Sequence, residues 1–135
     1  MLDDQIKLQR EVFGIDLVGC NPEQRMQYIR ENVLALIDEL MEALNEAGWK
    51  PWASSNHLNE GAWASELVDA WHFFMNLMAL GGMTMEDLER GYYQKRAKNI
   101  RRQREGYDGV STKCPQCKRA YDDDSVLCQP GKCAK

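Results

Sequence analysis

Strand-forming and membrane-spanning signals are what this sequence most lacks. Before residue 110 no stretch alternates apolar and polar residues for any length, and only four prolines interrupt the chain. A half-buried strand needs that alternation, so the body reads as all-helical. No apolar run reaches the ~18 residues that a membrane span requires. The opening segment MLDDQIKLQREVFG lacks the basic-then-apolar layout of a secretory signal. An excess of positive charge is missing as well. Seventeen Lys and Arg stand against 21 Asp and Glu, giving a net charge of −4 and a pI near 5.2. That balance excludes a general affinity for the nucleic-acid backbone. A cytoplasmic chain without a membrane partner is expected. There its five cysteines stay reduced unless they hold a metal. With 135 residues the chain has room for one domain and a small appendage.

What is present is a series of helix signals. Residues 2–13 read as a short first helix, with Leu2, Ile6, Leu8 and Val12 partly periodic, followed by a loop bracketed by Gly14 and Gly19. Asn21 is a natural N-cap with Pro22 at the first helical position and Glu23 in the first turn. The helix it opens carries an apolar stripe of Met26, Ile29, Val33, Leu36, Leu40, Ala43 and Leu44, and Gly48 is placed to end it. After the loop WKPWASSNHLNEG, a third helix begins between His57 and Ala62 and stops at Gly81-Gly82. Thr84 and Asp87 have the spacing of a capping box for a last helix over 85–104. The composition then shifts to Cys, Asp, Lys and Pro. These signals predict an antiparallel helical bundle over 1–109 and a separate tail over 110–135.

The third helix poses the chemical question. SELVDAWHFFMNLMAL is apolar around nearly its whole circumference, which predicts burial on most sides. Yet Glu66 and Asp69 lie three residues apart on one face. Burying an unpaired carboxylate costs several kcal/mol, on the order of 3–5. The preceding helix supplies a second pair, Glu39 and Glu42, at the same spacing beside Leu36, Leu40 and Ala43. Such a pair on a long helix is often only a solvated face, and Asp38 and Glu46 extend that polar surface. Two pairs on helices that pack as a hairpin are different, because four converging carboxylates repel one another. A hard divalent cation relieves the repulsion, and Mg²⁺ suits an all-carboxylate set completed by water and phosphate.

An acid-held metal calls for an anionic substrate and for cations that receive it. On the last helix Lys95, Asn99 and Arg102 fall at i, i+4 and i+7, on one face. Cations near a helix C-terminus also complement its dipole, which accounts for the arginines but does not require Asn99.

E-x-x-E on one helix, E-x-x-D on the next, and then K-x-x-x-N-x-x-R-x-x-x-G-Y resemble the all-α NTP pyrophosphatases, which include the dimeric dUTPases and the MazG-like enzymes. ELMEALNEAGWKPW, ELVDAWHFF and KRAKNIRRQREGY are similar to the dimeric, often phage-encoded dUTPase branch, over roughly residues 1–109. The resemblance implies catalytic Mg²⁺, one ion or two, held by Glu39, Glu42, Glu66 and Asp69. It also implies cleavage of dUTP between the α and β phosphates to dUMP and pyrophosphate, in the host cytoplasm if the gene is a phage's. By the same analogy Lys50, Trp52, Lys95, Asn99, Arg102 and Tyr107 would grip phosphate or close over the nucleotide, while His72, Phe73 and Asn76 would meet sugar and base. Gln9 fits the family's glutamine for reading uracil, but Phe13-Gly14 stands where the accompanying asparagine would be sought. The chain also lacks the additional helices of larger members. A homodimer is expected, with Trp71, Phe74, Met75 and Met78 as candidate contacts.

In the tail, Cys114, Cys117, Cys128 and Cys133 are spaced C-x₂-C-x₁₀-C-x₄-C. Four thiolates so arranged suit structural tetrahedral Zn²⁺, and two disulfides are disfavoured in a reducing compartment. A segment with so little apolar content would take most of its folding energy from the metal. Two other functions fit parts of the sequence. One is a pyrophosphatase of the same fold acting on dCTP or a purine dNTP. The other is a non-enzymatic zinc-ribbon interaction protein, which would have no reason to bring acidic pairs onto facing helices.

Overall fold

A computed structural model describes residues 1–105, and these contain four α-helices and no strand. They are α1 (Leu2–Glu11), α2 (Pro22–Glu46), α3 (Glu60–Leu80) and α4 (Met85–Glu105). The chain divides into two compact units after Met85, with α1–α3 in the first and nearly all of α4 in the second. No described helix is long and apolar enough to cross a membrane. Tyr107 and the four tail cysteines lie outside the described residues, as does the zinc site expected of them.

Helix ends follow from local chemistry. The side chain of Asn21 accepts from the Gln24 backbone N–H at 2.9 Å, and Gln24 Oε1 accepts from the Asn21 N–H at 3.1 Å. This reciprocal capping box satisfies two otherwise orphaned donors, with Pro22 behind it. At the far end of α3 the Met83 N–H reaches the Met78 carbonyl at 2.9 Å and the Gly82 N–H reaches Ala79 at 3.1 Å. Gly82 takes φ +66°, which completes a Schellman closure that only glycine enters without strain.

α2 and α3 pack along each other, and α1 lies on α3. Contacts between Asn32 and Asn76, and between Glu46 and Asn59 thirteen residues apart in sequence, show that the α2–α3 hairpin is antiparallel. A clasp closes its turn. The Asn59 N–H donates to the Glu46 carbonyl at 3.0 Å, and Asn59 Nδ2 donates to Glu46 Oε2 at 2.9 Å. Glu46 is therefore part of the hairpin's closure as well as of the polar face. Gly48 stands at the neck with φ +55°, and an added Cβ would lie 2.9 Å from the His57 carbonyl oxygen.

The core is small and concentrated at one end of the hairpin. Leu2, Leu17, Ala43, Ala70, Met75, Met78, Ala79 and Leu80 are its buried apolar residues. Two expectations are corrected here. The third helix is buried only along its C-terminal half, for Leu67 and Val68 are exposed. The stripe read on α2 mixes two faces: Met26, Val33 and Leu40 point outward, while Ile29, Leu36, Ala43 and Leu44 turn inward. A 3.6-residue period locates a stripe but does not say which edge of a broad apolar surface meets the rest of the chain.

Candidate active site

Glu39 and Glu42 sit one turn apart on α2, and Glu66 faces them from α3. One carboxylate oxygen from each lies within 4.8 Å of the other two. Glu39 and Glu66 are half-buried, and Glu42 is exposed. Burial first, and then the charges of Glu42, Asp69 and Glu66, hold the Glu39 carboxyl above the usual carboxylate range; a hydrogen bond with Glu66 adds to the rise. Asp69 is thus close enough to act on Glu39, but it is exposed and is not one of the three mutually close carboxylates. The expectation of two carboxylates on a buried helix is corrected to one that is half-buried and one that is open to solvent.

The site forms where it does because the hairpin is antiparallel. With Glu46 tied to Asn59, seven residues back along α2 brings Glu39 level with Glu66, seven residues along α3. Its donors are all hard carboxylate oxygens, with neither sulfur nor imidazole among the three. A divalent cation of the Mg²⁺ type fits that donor set. Its charge would offset the mutual repulsion that raises the Glu39 proton affinity.

Farther from the hairpin turn than the acids runs a polar seam that the sequence pattern does not announce. His72 Nδ1 and Gln5 Oε1 are 2.7 Å apart. Gln5 Nε2 donates to Asn76 Oδ1 at 2.8 Å, and Asn76 Nδ2 donates to Asn32 Oδ1 at 2.8 Å. Gln5 and Asn76 are almost fully enclosed, with 3% and 2% exposure. Gln5 and Asn32 are detectable in sequence only as polar residues set among apolar ones: Gln5 between Leu2 and Ile6, and Asn32 between Ile29 and Leu36.

The remaining sequence candidates are spread over both units. Gln9 and Phe73 are half-buried. Lys50 and Trp52 are exposed in the α2–α3 loop, where Trp52 meets Trp49 edge-on with ring centroids 6.1 Å apart. In the second unit Lys95 and Asn99 share one cavity-lining face of α4 with Tyr92, Arg96, Gln103 and Arg104. Arg102 is half-buried and does not line that cavity.

A family model described as dUTPase matches residues 1–81, a span that contains Glu39, Glu42, Glu66 and Asp69. The chain belongs to the dUTPase family. Over 42 residues this family member is 48% identical to the dCTP pyrophosphatase of Enterobacteria phage LZ5, a match that covers 31% of the chain and 24% of the phage protein. The chain thus spans about a quarter of the length of that curated relative. Among solved structures nothing matches this member of the dUTPase family. Both relationships point to the phage-type branch of the all-α NTP pyrophosphatases.

Proposed function

We propose that this chain is a Mg²⁺-dependent pyrophosphatase of pyrimidine deoxynucleoside triphosphates that converts dUTP to dUMP and pyrophosphate. The observation that carries this reading is the approach of three carboxylates to within 4.8 Å across two helices, inside the family-matched span. Likeness to a phage dCTP pyrophosphatase favours a second reading in which dCTP is the substrate of the same site.

Glu39, Glu42, Glu66 and Asp69 would hold the cation. When bound, Mg²⁺ supplies acidification of water and neutralisation of charge on the phosphoryl oxygens. The chain's own residues do the rest. Glu39 or Glu42 takes the proton from a water that attacks the α-phosphorus in line. The bond from the α-phosphorus to the bridging oxygen breaks, and pyrophosphate leaves with that oxygen. Lys95, Asn99 and Arg102, with Lys50 and Tyr107, are assigned to the phosphates; Trp52 covers the nucleotide. Gln9, His72 and Phe73 are assigned to the sugar and base. Asn76, expected from the resemblance to meet sugar and base with them, is enclosed with its amide engaged on both sides, so it acts through its protein neighbours and not on the ligand directly. The chain works as a homodimer. Cys114, Cys117, Cys128 and Cys133 hold one structural Zn²⁺, so metal analysis should find about one zinc per chain.

A nucleotide panel with Mg²⁺ and detection of both phosphate products tests the reaction. Pyrophosphate without orthophosphate is expected, with dUTP turned over best and thymidine triphosphate poorly, since a 5-methyl group crowds a close-fitting uracil pocket. Preference for dCTP would move the assignment to the second reading. Orthophosphate as the first product would exclude both. Arg102→Ala should lower kcat/KM roughly ten- to a hundredfold, the effect of one charge-assisted contact; unchanged kinetics would remove Arg102 from the phosphate site.

A further inference from the structure

The polar seam along the hairpin has a direction. Asn32 Nδ2 donates to the Tyr28 backbone carbonyl at 2.8 Å, and a carbonyl can only accept. Asn32 therefore presents its oxygen to Asn76, and Asn76 must turn its nitrogen toward Asn32. The Asn76 oxygen then faces Gln5, which donates its nitrogen. At the other end a second backbone carbonyl, that of His72, lies 3.5 Å from the same Gln5 nitrogen and imposes the same orientation. Only the Gln5 oxygen is left for His72 Nδ1, 2.7 Å away, so the imidazole must carry its proton there. Each amide in this relay has one orientation compatible with its neighbours, because reversing any one sets donor against donor or acceptor against acceptor.

We propose that the Gln5–Asn76–Asn32 relay fixes the neutral His72 ring in its Nδ1–H tautomer, making Nε2 a hydrogen-bond acceptor for an N–H on the pyrimidine edge of the substrate. The inference rests on the reading of this site as a nucleotide site. His72 is half-buried one turn beyond Asp69 on α3, and its Nε2 has no protein partner among the described residues. A fixed lone pair repels phosphate oxygens, which accept and do not donate. It suits a base edge, where uracil offers N3–H and cytosine its 4-amino group. Gln5, Asn76 and Asn32 are then positioning residues: their amides are used within the protein and act on the ligand only through His72. A seam that served packing alone would be filled as well by leucine, without the cost of enclosing two amides that must be fully bonded.

Nitrogen-15 NMR of the imidazoles in the full chain reads the tautomer directly. The sequence has two histidines, so His57→Gln leaves His72 as the single signal. Protonated Nδ1 and unprotonated Nε2 are expected, and the reverse assignment would overturn the relay without any variant in the seam. Addition of dUMP or dCMP should shift the Nε2 resonance, and an unmoved Nε2 with either nucleotide would overturn the base contact. Gln5→Leu removes the acceptor from Nδ1. It should move the proton to Nε2 and raise KM for the preferred pyrimidine nucleotide about tenfold with kcat unchanged. A fall in kcat at constant KM would instead mean that the seam only supports the acids. A chain that showed the Nδ1–H tautomer yet cleaved no nucleotide would count against the proposed reaction and leave the tautomer lock standing.

Discussion

Glu39 holds its proton more tightly in the folded chain than an ordinary carboxyl does, and that difference is a statement about stability. A group whose folded pKa is raised favours the folded state while protonated. The metal-free protein should therefore be most favoured by this group below the usual carboxylate range and lose that contribution as pH rises through the raised value. Urea midpoints measured across that range should fall with pH in chelator and flatten with Mg²⁺ or in Glu39→Gln. A midpoint that ignores both pH and Mg²⁺ would mean that the carboxylates are not coupled. Asp16 has the opposite sign. Backbone donation from Gly19 and the Arg10 guanidinium lower its pKa, so its contribution is present at neutral pH and lost on acidification. Glu66→Ala or Asp69→Ala should abolish Mg²⁺-dependent turnover and leave helical circular dichroism intact, with the metal-free fold equally or more stable because repulsion is relieved. Unfolding with undisturbed Mg²⁺ binding would assign the pair to structure alone. Glu66 was legible because charge on an apolar helix stands out, and Glu39 and Glu42 only as a second pair at the same spacing on the helix that packs against it. The seam was not, since a glutamine or asparagine at a core position looks the same in sequence as one at the surface.

Helix boundaries were the most readable part of the sequence. Asn21-Pro22, Gly48 and Gly81-Gly82 announce ends because each solves a backbone problem that other residues solve poorly. Asn21→Ala should cost about 1 kcal/mol through loss of the capping box. Gly48→Ala should cost about 1–2 kcal/mol for the left-handed backbone alone, and more because its Cβ would meet the His57 carbonyl. Chemical denaturation checks both, and a neutral Gly48→Ala would show that the loop neck yields. The start of α3 was less legible. Asn59 looks like a capping residue, but its side chain bonds Glu46 across the turn and not its own helix. A long-range partner displaced the local one, and spacing along one segment does not reveal that.

Over the whole molecule the unexpected feature is how much apolar surface the chain leaves open. Leu34, Ile37 and Met41 recur at i, i+3 and i+7 on the outer side of α2 with 67%, 52% and 46% exposure. Met75 and Met78, read from sequence as association contacts, are instead buried in the chain's own core, and Trp71 and Phe74 stack on each other half-buried. Sequence marks residues as apolar but does not apportion them between a core and an interface. Exposed apolar residues in such a row are candidates for the contact of the proposed dimer. Leu34→Glu with Ile37→Glu should dissociate the proposed dimer in light scattering without loss of helix; an unchanged dimeric mass would place the interface elsewhere. The closure at Gly81-Gly82 matters for the chain's modularity. α3 satisfies the carbonyls of Met78 and Ala79 through the Met83 and Gly82 amides, so its end is closed by the two residues that immediately follow Gly81. The family match ends at residue 81 and the first compact unit at Met85. Helix α3 thus reaches its closure inside the first compact unit, and the acidic hairpin lies wholly within both that unit and the family-matched span.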